Sequence, residues 1–267
     1  LAGKEFFKEN EVAAYERSLL DRNNRDRRDG GAAADLTRAY NELWYDSGSH
    51  IVKTRRTSLV IDPPDGRIPP FTPEAQKRVD ARAEDRRKRG GDPADSWEDR
   101  SLWERCLTRG GLPRIPGSYN NNVQIFQSPE YVVVLYEMIH EVRLIPLDGQ
   151  PHAPQGIRQW LGDARGHWEG GTLVVETTNF SDRSIYRNGN PKTLKLIEHF
   201  TPTSKTSLEW TVTIDDSTTW VRPWTFSLPL TLNDREPVLE YACHEGNYAM
   251  RNMLSGERAT ERESAGR

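Results

Sequence analysis

Apolar and polar positions divide the chain into three unequal stretches. Before residue 100 apolar residues are sparse and fall at helical spacing, from Ser118 they alternate or cluster in short runs between turns, and after residue 255 they thin out. In residues 4 to 29, Phe6, Phe7, Val12, Tyr15, Leu19 and Leu20 share one side of an otherwise charged segment, which predicts a surface helix. DGGAAAD breaks it, and LTRAYNELWYD at 36 to 46 predicts a short aromatic helix or turn ended by Gly48. A strand over 57 to 61 precedes a proline-rich turn with Asp65 and Gly66 at its tip. Thr72 followed by Pro73 opens a charged helix reaching about Arg89. Ser96 with Asp99 has capping-box spacing ahead of a helix carrying Trp97, Leu102, Trp103, Cys106 and Leu107.

The remaining pattern predicts strands at 122–127, 131–145, 157–162, 172–179, 194–200, 207–214, 219–230 and 237–245, with Gly149, Gly166, Gly170, Gly171, Gly189, Asp215, Asp216 and Asp234 in the turns. Hairpin-length connections without intervening helices indicate a mainly β protein, an antiparallel meander closed as a barrel or folded as a sandwich. About eight strands close around space for one small ligand. The expected organisation is a helical and irregular N-terminal extension (1–104) packed on an antiparallel β-barrel (105–257), followed by a disordered tail (258–267). No internal repeat supports a propeller.

Charged residues inside these strands are the candidate chemistry, because an unpaired charge in a packed sheet is costly. The run from Tyr131 to Asp148, YVVVLYEMIHEVRLIPLD, carries Glu137, His140, Glu141 and Arg143. Read as one strand, it places Tyr136 and His140 on one face and Glu137, Glu141 and Arg143 on the other, toward the lumen or toward the N-terminal helices. An ion pair of Arg143 with a carboxylate that sets register is as good a reading as a functional one. Glu176 lies mid-strand among valines, and GHWEGG reads as a hairpin turn with Trp168 closing one barrel end. Glu198, Trp220, Arg222 and Trp224 follow, with Arg222 placed either to stack on the tryptophans or to hold an anionic group. In PVLEYACHEGNY, His244 and Glu245 point to opposite faces, so His244 needs a carboxylate from another strand: Glu137, Glu176, Glu198 or Glu240.

Composition removes several classes. Lys and Arg total 37 against 40 Asp and Glu, a net charge of −3, and no stretch joins dense basic residues with aromatics, so nucleic acid is not an expected partner. No apolar run approaches a transmembrane length, and residues 1 to 20 are too charged for a signal peptide. No GxSxG, phosphate loop or dinucleotide fingerprint is present. His140, His152, His199 and His244 show no HxH or HExxH spacing, and neither a metal nor a cofactor is expected. The two cysteines, Cys106 and Cys243, are either separate buried thiols or one long-range disulfide.

Four motifs, PGSYNNNVQIFQSPEYVVVLYEMIHEVRLIPLDGQPH, WLGDARGHWEGGTLVVETTNF, TTWVRPWTFSLPL and YACHEGNY, together resemble a family of exported bacterial proteins with no established activity. The resemblance is dense from about residue 105 to 257. It implies a periplasmic or secreted location with a signal peptide removed, favours the Cys106–Cys243 disulfide, and supports a calycin-like or lipocalin-like barrel. Family members share the residues matching Glu137, His140, Arg143, Glu176, Asn179, Glu198, Arg222, His244, Glu245 and Asn247, while His199 is less constrained.

The resulting expectation is an exported β-barrel enzyme, a hydrolase, lyase or isomerase, acting on a small cyclic or aromatic molecule. His244 with Glu137, Glu176 or Glu198 is the acid/base pair. Arg143, Arg222, Trp220, Trp224, Asn179, Tyr136 and His140 contact the substrate, with Glu137 and Arg143 the foremost pocket residues. The alternatives are a non-enzymatic periplasmic small-molecule carrier and a structural surface protein; a homodimer is compatible with each.

Overall fold

Alternating residues in the second half of the chain build two antiparallel sheets, seen in a computed structural model that describes residues 4–38, 45–46, 48–184 and 186–266. The strands are β1 (Val60–Asp62), β2 (Val123–Gln127), β3 (Tyr131–Tyr136), β4 (Glu141–Pro146), β5 (Asp163–Glu169), β6 (Thr172–Thr178), β7 (Lys195–Ser204), β8 (Ser207–Asp215) and β9 (Trp224–Thr231). The larger sheet has the order β1-β9-β8-β7-β6-β5 and the smaller β2-β3-β4. The helices are α1 (Glu9–Asn23), α2 (Gly31–Thr37), α3 (Pro73–Lys88) and α4 (Ala249–Ala265). Most of the element expected at 36 to 46 lies outside the described residues.

The expected calycin-like barrel is not formed, since among the described residues no sheet closes on itself. Two of the eight expected strands are absent. Residues 157–162 form a loop in which Gly162 takes φ +73° and a Cβ would lie 2.6 Å from the Thr178 carbonyl oxygen. Residues 237–245 run without strand partners into α4. Pro151, Pro154 and Gly156 in the first case and Pro237 in the second remove ladder donors or rigidity where pairing would start. The strand expected from residue 219 begins only at Trp224.

The charged opening stretch is a hairpin instead of one long strand. β3 and β4 are joined by a 3-10 turn at Met138–His140, where Ile139 (φ 61°) and His140 (φ 41°) are left-handed. Val132 pairs with Ile145, Val134 with Arg143 and Tyr136 with Glu141. Val132, Val134, Tyr136, Arg143 and Ile145 are buried, while Phe126, Tyr131, Val142 and Leu144 stay exposed on the other face.

The larger sheet buries one face against this hairpin. Leu173, Val175 and Thr177 of β6, Leu196 and Glu198 of β7, Trp210, Val212 and Ile214 of β8, and Trp224 and Phe226 of β9 are all buried. Their apolar members share one core with Val132, Val134, Tyr136 and Ile145. GHWE belongs to β5, so the turn expected across GHWEGG shrinks to Gly170 and Gly171, with Gly170 at φ +59°; Trp168 is exposed.

The N-terminal extension is woven into this core. β1 adds to the larger sheet through Val60 opposite Phe226, so residue 104 does not part extension from sheet. Thr72 caps α3 as its sequence indicates, accepting a hydrogen bond from the Ala75 amide at 3.2 Å, and donates to the Thr218 carbonyl at 3.0 Å. The helix expected after Ser96 is only a 3-10 turn over Trp97–Asp99, although Ser96 and Asp99 form the expected capping box. The tail expected to be disordered from 258 is the second half of α4.

Asp216 organises the turn before β9. Its carboxylate accepts from the Asn190 amide (2.7 Å), Thr193 Oγ1 (2.8 Å), and the amide and hydroxyl of Thr218 (3.1 and 2.8 Å). Burial pushes its pKa up, but hydrogen bonds from Thr219, Asn190, Thr193 and Thr218 outweigh burial and hold it below the ordinary 3.8. A depressed folded pKa stabilises above the unfolded value and loses that stabilisation as pH falls through the folded one. Acid titration from pH 5 down is therefore expected to lower the unfolding midpoint below about pH 4. Asp216→Asn, costing about 2 kcal/mol at pH 7, should flatten that part of the profile; an unchanged acid limb would contradict the assignment.

Candidate functional site

The two sheets separate at one end, and the loop Arg114–Asn122 roofs the opening. Val123, Ile125, Val134 and Tyr136 of the smaller sheet face Phe200, Trp210, Leu228 and Leu230 of the larger across a cleft. Strand alternation supplies these side chains from both inner faces. Asn120, Asn121 and Asn122 lie between this apolar cleft and a broader polar groove lined by Tyr119, Glu137, Tyr241 and Asn247.

Behind the cleft floor lies a sealed charge network. Arg143 and Glu198, 2% and 0% exposed, form a two-armed ion pair, with Nη1 at 3.0 Å from Oε1 and Nη2 on Oε2. Arg143 Nη2 also donates to Thr177 Oγ1 at 2.7 Å, and Trp210 Nε1 donates to Glu198 Oε1 at 3.1 Å. Burial disfavours the Arg143 charge, yet the Glu198 carboxylate keeps its pKa above the usual value. Burial also pushes the Tyr136 hydroxyl up. Trp210 stacks on Phe200 with centroids 5.9 Å apart, so this network sets the angle of the aromatic floor.

Arg114 caps the other side of Tyr136, its guanidinium 5.6 Å from the ring centroid, and pairs with Glu141. Burial pulls the Arg114 pKa down to about 10, with Tyr136 opposing that pull and the Arg109 charge adding to it.

The candidate catalytic residues do not meet. His244 is exposed in the segment before α4. Glu137 sits in the β3–β4 turn and accepts from the amides of Asn122 (3.2 Å) and Leu239 (3.3 Å), tying the roof loop to the C-terminal segment. Glu176 lies on the outer face of the larger sheet, 3.3 Å from both His152 Nε2 and Lys195 Nζ. Glu198 is enclosed by Arg143 and Trp210.

Among the expected contact residues only Tyr136 lines the cleft. Arg143 lies behind the floor in the Glu198 pair, not in the pocket. Trp220 and Trp224 are core residues, 2% and 1% exposed, packed edge to face at 5.8 Å. Arg222 pairs with Asp62 at 2.8 Å. Asn179, at φ 55°, donates to the Ala153 carbonyl at 2.8 Å and holds a loop. His140 Nδ1 bonds the Tyr241 carbonyl oxygen at 3.0 Å. Cys106 and Cys243 form the disulfide, with S–S 2.09 Å and Cα–Cα 5.7 Å.

Sequence reasoning passed over Arg109, Arg114 and the roof loop, which sit between expected elements. It weighed His152 only as a metal ligand, whereas its Nδ1 is 2.8 Å from the buried carboxylate of Asp163. PGSYNNN, with its run of amides before β2, was the available signal for the loop. Among the described residues no helix is long and apolar enough to cross a membrane. Comparisons of the chain with protein-family models, curated proteins and solved structures find no match.

Proposed function

We propose that this is an exported small-molecule binding protein whose ligand enters the cleft between the two sheets. One observation carries the reading: the cleft is lined by apolar and aromatic side chains with a few amides at its rim, while the candidate acid/base residues lie elsewhere. Such a lining suits recognition by shape with a few polar anchors. The disulfide is compatible with export.

The uncharged fluorophore N-phenyl-1-naphthylamine is expected to bind saturably, one per chain, with enhanced emission. Ile125 lines the cleft yet is 42% exposed, so Ile125→Glu should spare folding while weakening the probe about tenfold, because a carboxylate would be desolvated against the ligand. Absence of saturable binding, or an affinity unmoved by Ile125→Glu, would overturn the cleft as the site.

An acid/base enzyme is the second reading, and His152 supports it better than His244. Its imidazole bridges buried Asp163 and half-exposed Glu176, the arrangement in which a carboxylate orients a histidine for proton transfer. Recovery of a cleft ligand chemically altered after incubation would favour this reading, and recovery unchanged the first.

A further inference from the structure

We infer that the cleft ligand is an amphiphile bearing a single carboxylate, its apolar body on the aromatic floor and its carboxylate on Arg109; this rests on the cleft being a binding site. Two arginines, Arg109 and Arg114, line the cleft and a third, Arg143, lies behind its floor, and they are not equivalent. Arg143 is neutralised by Glu198 and Arg114 by Glu141. Arg109 lines the cleft too, but among the described residues no carboxylate pairs with it.

The position of Arg109 is built, because its guanidinium lies over the Trp103 ring, 4.3 Å from the centroid. Gly117 neighbours it, since a Cβ there would meet Arg109 Nη2 at 3.6 Å, an ordinary contact distance. A guanidinium stacked by its face keeps its N–H edges available, and two parallel N–H groups match a carboxylate. Stacking also removes rotamer freedom before the ligand arrives.

Charge count limits the ligand further. One uncompensated cation balances one negative charge, and the chain as a whole carries −3, which disfavours multiply charged anions at long range. Asn120 and Asn121 share the lining with the cation, and Phe200, Trp210, Leu228 and Leu230 of the same cleft receive a hydrocarbon or aromatic body. An apolar cleft whose lining holds, among the described residues, one cation without a carboxylate partner thus complements a carboxylate amphiphile.

Competition against N-phenyl-1-naphthylamine, with dodecanoate and dodecanol each below its aggregation concentration, tests the inference. Dodecanoate is expected to bind about tenfold more tightly than dodecanol, the scale of one charge-assisted hydrogen-bonded contact. Arg109→Gln should bring that ratio to about one, while Arg109→Lys, which keeps charge but loses the fork, should leave an intermediate ratio. Circular dichroism of each variant checks that the sheets remain intact. Equal affinities for the two ligands in the wild type, or a ratio untouched by Arg109→Gln, overturn the carboxylate inference and leave the cleft standing. Failure of all three compounds to bind overturns the cleft itself.

Discussion

Glu198→Gln is expected to destabilise the fold by about 3–5 kcal/mol, because it strands the Arg143 guanidinium in a core from which water is excluded. Arg143 is 2% exposed and already has its Nε without a hydrogen-bond partner, so little else is present to receive the charge. Arg143→Met should cost a similar amount by stranding the Glu198 carboxylate, which retains only Trp210 Nε1 among these partners. The double change Arg143→Met with Glu198→Met is expected to recover most of the loss, since well-packed apolar residues often replace a buried pair at no net cost. Urea unfolding of the three variants measures the cycle. Single variants within about 1 kcal/mol of the parent would show that the pair does not control this core. Because Trp210 hydrogen-bonds Glu198 and lines the cleft, the single variants should also shift tryptophan emission and weaken cleft ligands.

Reduction of Cys106–Cys243, or Cys243→Ser, is the second large effect. The bond spans a sequence separation of 137 residues, and chain entropy alone sets a ceiling of about 5 kcal/mol for a loop of that size. The bond also has a local task. The segment from Pro237 to Tyr248 has no strand partners, and besides the disulfide it is anchored by the Leu239 amide on Glu137 and the Tyr241 carbonyl on His140. This segment forms a wall of the polar groove. The reduced protein is expected to unfold at a lower temperature and to be cut first between residues 233 and 248 by a nonspecific protease. Mass measurement after alkylation provides the control: two alkylated thiols in unreduced protein would contradict the bond. An unchanged midpoint after complete reduction would assign the anchoring to the hydrogen bonds instead.

Legibility varied with the range of the interaction that decides each feature. Caps depend on three or four neighbouring residues, and both Thr72 and the Ser96–Asp99 box formed where the sequence placed them. The strand periodicity around Glu176 was legible for the same reason, but which face turns inward was not, and the structure put Glu198 inward and Glu176 outward. The Tyr131 to Asp148 run misled because it begins apolar on both faces. Nothing in VLYEMIHEV marks a turn by composition, and Ile139 at φ 61° is an unusual residue for one. A turn inside the run changes the parity, and Arg143 came to share a face with Tyr136 instead of with Glu137. The site residues suffered most, since each was assigned by a face within a barrel that did not close.

The sequence by itself determined a mainly β chain with a partly helical first third, which residues share a face along a strand, and a cysteine pair whose bonding was favoured only through resemblance. These follow from the two-residue period of strands and from local capping. Tertiary structure alone decided that the strands form two sheets with an open end, that Arg143 meets Glu198 across 55 residues of chain, and that Arg109 and the 114–122 loop frame the opening. The physical reason is that pairing between distant strands is chosen by the whole core at once. A charge buried in that core takes the partner that packing delivers.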